Sequence, residues 1–284
     1  MTTAIERTVT LANGAVMPTL AFGTWQIPLN DHFKSVIRTA IDWGYRHFDT
    51  AQIYNNAKLL GEAIRESRVD RSEFFISCKL WASHRSYESA REAFEAVCTQ
   101  LGFDTIDLLS VHWPAAQGEP MVWQSQNAGI WRTLEELLAE ERVRAIGVAN
   151  FLPHHLVPLL ARAKVRPMVN QLEIHPGYPQ EKAAAFSRAR GIAVQSWSPL
   201  GRGLLAKHPL LAEIGSAHGV SAALTALRWN LQAGALPIVK STDPAHMREN
   251  LRVFDFELSE EEMSRINAMQ TTAFSGLHPD TVNF

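Results

Sequence analysis

Cysteine is scarce in this chain: two in 284 residues, Cys78 and Cys98. A disulfide framework is thereby excluded, and so low a count suits a reducing compartment. No apolar run approaches the ~20 residues that a membrane helix needs, and the short polar start, Met1 to Glu6, has no signal-peptide core. Neither sign of charge dominates; Lys+Arg 27 against Asp+Glu 29 leaves −2 at pH 7. That balance offers no electrostatic footprint for nucleic acid or an anionic membrane. No linker, low-complexity tract or charge run divides the chain, so one domain over 1–284 is the economical organisation. His154-His155 and the scattered histidines lack metal-ligand spacing such as H-E-x-x-H, so no metal is expected. What remains is a cytoplasmic globular protein, 46% apolar, an ordinary fraction for a folded chain. Nothing in it demands more than a monomer.

Asn13-Gly14 between alternating segments reads as a two-residue hairpin turn within Val9 to Val16. Short β-like runs then alternate with amphipathic stretches almost to the end. The runs are Leu20–Thr24, Tyr45–Thr50, Phe74–Leu80, Ile106–His112, Arg144–Asn150, Met168–Glu173, Ile192–Trp197 and Leu236–Lys240. Between them, stripes such as Phe33, Val36, Ile37, Ala40 and Ile41 repeat at helical spacing. Pro153, Pro179 and Pro244 fall where helices should begin. Several runs are almost continuously apolar, as strands buried on both faces must be. Eight strand–helix units point to an α/β fold, a (β/α)8 TIM barrel, with an open doubly wound sheet as the alternative on pattern alone. Two stretches read as long loops, Pro114 to Gln126 and Ser198 to Gly219, and in a barrel both lie on the active-site face.

The polar residues that end apolar strands carry the chemical information. Asp49 closes the second run, with Tyr54 five residues on; Lys79 closes the third and His112 the fourth. Each has a bland reading: Asp49 as a helix cap, Lys79 snorkelling to solvent, His112 as hydrogen-bonded scaffold. In a barrel, however, all four converge on one mouth. A phenol is a poor acid at neutral pH; an ammonium beside it favours phenolate and lowers its pKa. A carboxylate keeps the lysine charged, and an imidazole orients a carbonyl oxygen. Such a set can protonate an oxyanion without a metal. Trp25, Trp81 and Trp113 each follow a strand end and suit the walls of an aromatic pocket. Trp43, Trp131 and Trp229 fall in helix stripes and read as core, as do Cys78 and Cys98.

The stretch Gly44-Tyr45-Arg46-His47-Phe48-Asp49-Thr50-Ala51-Gln52-Ile53-Tyr54-Asn55-Asn56 resembles the leading signature of the aldo-keto reductases. Arg142 to Phe151, Met168 to Pro176, and Ile238 to Thr242 with Glu249-Asn250 are similar to further segments of that family. Trp197 to Gly201 and His278-Pro279-Asp280 resemble its bacterial 2,5-diketo-D-gluconate and related dicarbonyl reductases. The resemblance implies an NADPH-dependent reductase of a small-molecule carbonyl on a (β/α)8 barrel. Tyr54 is then the general acid, Lys79 its pKa-lowering partner, Asp49 the holder of Lys79, and His112 the group orienting the carbonyl. Asn150 and Gln171 match positions that bind the nicotinamide carboxamide, and Trp197 the position that stacks on its ring. Ser198, Leu200 and Gly201 begin the loop over the pyrophosphate. Lys240, Ser241 and Thr242 match the 2′-phosphate site, with Glu249 and Asn250 facing adenine. A C-terminal tail, Phe274 to His278, is expected over the active-site mouth.

Two departures bear on the cofactor. Ala149 stands where the family usually has serine, removing a hydroxyl partner worth ~1 kcal/mol. His246 stands where an arginine is common; a guanidinium forks onto phosphate and is always charged, whereas a neutral imidazole does neither. A weaker NADPH preference, with usable NADH, is expected, unless Arg248 substitutes. Gly201-Arg202-Gly203-Leu204-Leu205-Ala206 fits G-x-G-x-x-A, but it lies late in the chain and lacks the acid about 20 positions on. Two rival readings are a barrel aldolase with Lys79 as Schiff-base nucleophile and a non-catalytic nucleotide-binding subunit.

Overall fold

The computed structural model describes residues 7–81, 83–84, 86–115 and 120–282. Two short strands, β1 (Thr8–Thr10) and β2 (Val16–Pro18), pair antiparallel. Eight parallel strands follow: β3 (Ala21–Gly23), β4 (His47–Asp49), β5 (Phe75–Leu80), β6 (Ile106–Val111), β7 (Val143–Ala149), β8 (Val169–Glu173), β9 (Ala193–Trp197) and β10 (Leu236–Val239). They close into a barrel in chain order, β10 pairing with β3. The helices are α1 (Asp31–Asp42), α2 (Ala57–Glu66), α3 (Tyr87–Leu101), α4 (Pro120–Ala139), α5 (Pro153–Leu160), α6 (Glu181–Arg188), α7 (Pro209–Ala217), α8 (Ala222–Gln232), α9 (Pro244–Asn250) and α10 (Glu260–Asn267). Seven of the eight runs read from sequence hold one barrel strand each, and the eighth, Arg144–Asn150, misses only the first residue of β7, Val143. The open-sheet alternative is ruled out. No single described helix is long and apolar enough to cross a membrane.

The strands form because both faces bury side chains. Every residue of β5 and β6 is buried; Ile76, Cys78 and Leu80 face the helices while Ser77 and Lys79 point inward to Asp49, the period-2 alternation of a strand. The hairpin closes the opposite end of the barrel. Met17 is fully buried, and the Asn13 amide donates to the Arg144 carbonyl at 2.8 Å. Its turn is one residue longer than expected. Gly14 N–H bonds back to Leu11 and Leu11 N–H to Ala15, with Gly14 at φ +87°, a type I turn with a glycine bulge. Pro153 and Pro244 begin α5 and α9, whereas Pro179 lies before Gln180, the cap of α6.

Both expected long loops carry helices. In the first, 116–119 lie outside the described residues and α4 starts at Pro120; Trp123, Asn127, Ile130, Trp131 and Leu134 share its buried face. The polar run Gln124, Ser125, Gln126 had masked that spacing. The second contains a 3-10 segment, Gly201–Lys207, and α7. Trp131 and Trp229 are core, but Trp43 is 40% exposed. It caps the C-terminus of α1, where the apolar stripe has turned toward solvent.

Gly61 shows how tightly the helices pack. A Cβ there would sit 1.9 Å from the Leu101 carbonyl oxygen and 2.7 Å from its carbon. In an open helix Gly→Ala gains about 1 kcal/mol; here the overpacking term, about 1–3 kcal/mol or more, outweighs it. Gly61→Ala is therefore expected to destabilise the fold, seen as a lower urea midpoint at unchanged slope.

Candidate active site

At the C-terminal ends of the strands opens a cavity of about 770 Å³, within the usual range for ligand sites. Asp49, Tyr54, His112, Asn150, Gln171, Trp197, Ser198, Leu200 and Lys240 line it, as do Trp25, Trp81 and Trp113. Lys79 lies just beneath, almost wholly buried. Strands that neighbour one another in the barrel deliver these groups, which is why residues 30 to 120 positions apart in sequence meet. Tyr54 follows β4 on a single 3-10 turn, Gln52–Tyr54. That turn is anchored by buried Asn56, which donates to the Thr24 carbonyl and accepts from the Thr50 hydroxyl at 2.6 Å.

The ammonium of Lys79 donates to Asp49 Oδ1 at 2.5 Å and to the Thr50 carbonyl at 2.8 Å. Of its three donors, one is left for the Tyr54 hydroxyl, with which it also interacts by charge. The second oxygen of Asp49 accepts from Ser77 Oγ at 2.8 Å and from Gln171 Nε2 at 3.2 Å. Burial lowers the Lys79 pKa, but Asp49 and Tyr54 more than restore it, so the net shift is upward and the ammonium stays charged.

For Tyr54 the balance runs against the sequence expectation. Burial raises its pKa more than the Lys79 charge lowers it, and the phenol ends above its ordinary value. Tyr54 therefore stands protonated, as a proton donor must. His112 is pushed well below the usual imidazole range by burial and then by the Lys79 charge, so it is neutral. Its ring meets the Tyr54 ring edge-on at 5.9 Å and the Trp81 ring at 5.1 Å.

Asn150 adopts φ +65°, the left-handed region that asparagine tolerates. Its Nδ2 donates to the His112 carbonyl at 3.0 Å, and its Oδ1 accepts from the Trp197 indole N–H at 2.8 Å. Farther out, Gly201, Ser241, Thr242, His246, Glu249 and Asn250 lie off the cavity wall. Ser241 accepts from the Asp243 N–H at 3.0 Å, and the His246 side chain is 68% exposed. Arg248, which could have stood in for the missing arginine, lies 5.0 Å over the Trp43 ring. Asn250 is buried beside the Tyr45 hydroxyl.

A model of the Aldo/keto reductase family matches residues 19–271. The chain belongs to the aldo/keto reductase family. It is 42% identical over 275 residues to the 9,11-endoperoxide prostaglandin H2 reductase of Trypanosoma cruzi (strain CL Brener), covering 96% of this chain and 94% of that protein. It is 38% identical over 284 residues to the Glyoxal reductase of Bacillus subtilis (strain 168), covering 100% of both. The crystal structure of an aldo/keto reductase from Brucella melitensis superposes with a TM-score of 0.85 at 38% identity, covering 92% of this chain and 98% of that one.

Two side chains of this reductase, Arg202 and Glu173, escaped the sequence reading, although the loop and the tail they hold were expected at the mouth. Arg202, the one charged residue between Ser198 and Ala206, lies 5.5 Å over the Trp25 ring, so the loop after β9 reaches across the cavity. Glu173 is buried and accepts from the Ser275 N–H at 2.9 Å and the Ser275 hydroxyl at 2.7 Å. That latch, with Phe274 stacked on Tyr178 at 4.8 Å, draws the tail to the mouth, where Leu277 lines the cavity. Among the described residues one set of possible metal ligands gathers, His154, His155 and Asp280. Its chemistry suits a clasp on the tail. His154 Nε2 and Asp280 Oδ1 share a hydrogen bond at 2.8 Å, whereas buried His155 Nε2 lies 2.9 Å from the same oxygen with no hydrogen bond, its Nδ1 accepting the Leu152 N–H.

Proposed function

We propose that this enzyme reduces aldehydes and ketones, small dicarbonyls foremost, with hydride from NADPH and with Tyr54 as general acid. The supporting observation is the lock at the cavity floor, in which Asp49 and Thr50 fix the Lys79 ammonium and leave its third N–H for a protonated Tyr54. The cavity fits a nicotinamide. Asn150 and Gln171 each spend one amide hydrogen on the protein and keep a second for a carboxamide. Trp197 is pinned by its indole N–H, which leaves its face for stacking. Lys240 at the rim supplies a cation for phosphate. When bound, the dihydronicotinamide supplies the hydride. The chain's residues do the rest: neutral His112 orients the carbonyl oxygen beside Tyr54, Tyr54 gives that oxygen its proton, and Lys79 stabilises the phenolate left behind. Trp25, Trp81, Trp113 and Leu277 exclude water. The aldolase alternative does not fit, because a Schiff-base lysine needs a lowered pKa and that of Lys79 is raised.

The dicarbonyl preference draws on the glyoxal reductase relative. A single domain over 1–284 acting as a monomer is part of the same reading. Nicotinamide absorbance read across methylglyoxal, keto-sugar acids, β-keto esters and aryl aldehydes tests the reading; no turnover on any of them would reject it. With His246 exposed and Arg248 committed to Trp43, the ratio of kcat/KM for NADPH over NADH should be modest. His246→Arg should raise it roughly tenfold, the size of one charge-assisted hydrogen bond; an unchanged ratio would remove His246 from the phosphate site.

A further inference from the structure

A second set of polar side chains lies one layer below Asp49 and Lys79. His47 and Ser77 each stand two residues earlier on the same strands, so the alternation turns them inward too. Both are almost wholly buried. Ser77 Oγ lies 2.8 Å from Asp49 Oδ2, His47 Nε2 lies 3.1 Å from Ser77 Oγ, and His47 Nδ1 lies 3.2 Å from the Pro18 carbonyl oxygen. The Phe75 ring packs edge-on against the imidazole at 4.8 Å and holds it in this line.

Three contacts need three hydrogens. The Pro18 carbonyl and an ionised Asp49 can only accept, the Ser77 hydroxyl brings one hydrogen, and a neutral imidazole brings one more. The line is one proton short. With one proton added it is complete in two ways. On His47, both ring nitrogens donate and Ser77 donates to Asp49. On Asp49, the carboxyl donates to Ser77, Ser77 to His47 Nε2, and Nδ1–H to Pro18. Passing between the two moves hydrogens only, along bonds already in place.

We infer that His47 and Ser77 are positioning residues that hold this extra proton and use it to balance charge around Lys79. The inference rests on Tyr54 as the acid. When the reduced carbonyl takes the Tyr54 proton, the phenolate takes one from Lys79. Lys79 is then neutral, and Asp49 has lost the cation in direct contact with it, a costly state for a buried carboxylate. The Ser77 hydrogen passes to Asp49 Oδ2 and the His47 Nε2 hydrogen passes to Ser77 Oγ, leaving a neutral His47. A proton from water later recharges Lys79, and the shift reverses. The charges facing His47 are Asp49 on its own strand, Lys79 on β5 and Asp107 on β6; Asp107 is itself paired with Arg71 and Arg144. Burial is the largest influence on His47 and, with Lys79, outweighs the Pro18 carbonyl and the two aspartates, so the ring is held below the ordinary imidazole range; it is the geometry of the line that calls for the added proton.

The proton count is directly measurable in the intact protein without a substitution. Nitrogen-15 shifts of His47 and the carboxyl carbon-13 shift of Asp49 should account for three hydrogens in the line, with Nδ1 protonated. Two hydrogens, a neutral His47 beside an ionised Asp49, would overturn the inference. This readout does not depend on turnover, so it stands apart from failure of the reductase reading itself. In kinetics, Ser77→Ala should lower kcat roughly 10- to 100-fold and shift its pH profile while NADPH affinity holds, and Ser77→Thr, which keeps the hydroxyl, should recover most of the rate. An alanine variant with unchanged kcat and pH profile, or one no slower than the threonine variant, would overturn it as well.

Discussion

Tyr54→Phe is expected to lower kcat/KM for carbonyl reduction by roughly 100- to 10,000-fold, the range associated with loss of a positioned general acid, while nicotinamide affinity stays within about twofold. The substitution is narrow. The phenyl ring keeps its edge-on contact with His112 and its place under the Lys79 ammonium, 5.3 Å from the ring centre. The turn that carries it is held by Asn56, which the change does not touch. Only the hydroxyl goes, and with it the proton that the proposed reaction needs. Protein fluorescence titration with NADPH and absorbance assays with a dicarbonyl separate the two effects. Retained turnover would remove Tyr54 from its role.

Lys79→Met should damage both rate and stability. The methionine fills similar volume but removes the cation in contact with Asp49, leaving that carboxylate Ser77 and Gln171, its charge then met only through the proton that Ser77 and His47 hold. Breaking such a pair typically costs about 3–5 kcal/mol. The Tyr54 pKa, already raised by burial, loses the cation that opposes the rise. Sign matters for the pH dependence. The folded pKa of Lys79 lies above its ordinary 10.5, so the lysine's contribution is present at neutral pH and is lost on the alkaline side only as pH climbs through the folded value. The gap between wild type and variant in urea unfolding should therefore be present at pH 7 and narrow in strong alkali. A variant as stable as wild type at pH 7 would show that the ion pair contributes nothing net.

The barrel was legible because parallel strands covered by helices must be apolar on both faces, so Phe75, Ile76 and Cys78 or Leu108, Leu109 and Val111 announce themselves without a partner. The four polar residues at or just beyond strand ends were legible for the same reason, as interruptions of an apolar run. What failed to show was anything set by elements distant in sequence. The pKa direction of Tyr54, a half-buried residue, depends on how Trp81, His112 and the rest of the rim pack round its hydroxyl, and no local pattern carries that. Trp43 sits at the helical spacing of a core residue but at the last turn of α1, where the stripe leaves the barrel. The start of α4 was hidden by glutamines and a serine on its outer face. His47 and Ser77, by contrast, could have been found: both lie two positions before residues already singled out, and strand alternation turns them the same way.

The N-terminal hairpin and the C-terminal tail lie at opposite poles of the barrel. The hairpin seals the pole away from the cavity, whereas Leu277 stands in the wall of the mouth and Val282 is five residues beyond it. An affinity handle or an immobilising linkage is therefore best attached at the amino end. Tethering by the carboxyl end would crowd the mouth from the tail side and pull on the Glu173–Ser275 latch beside Leu277.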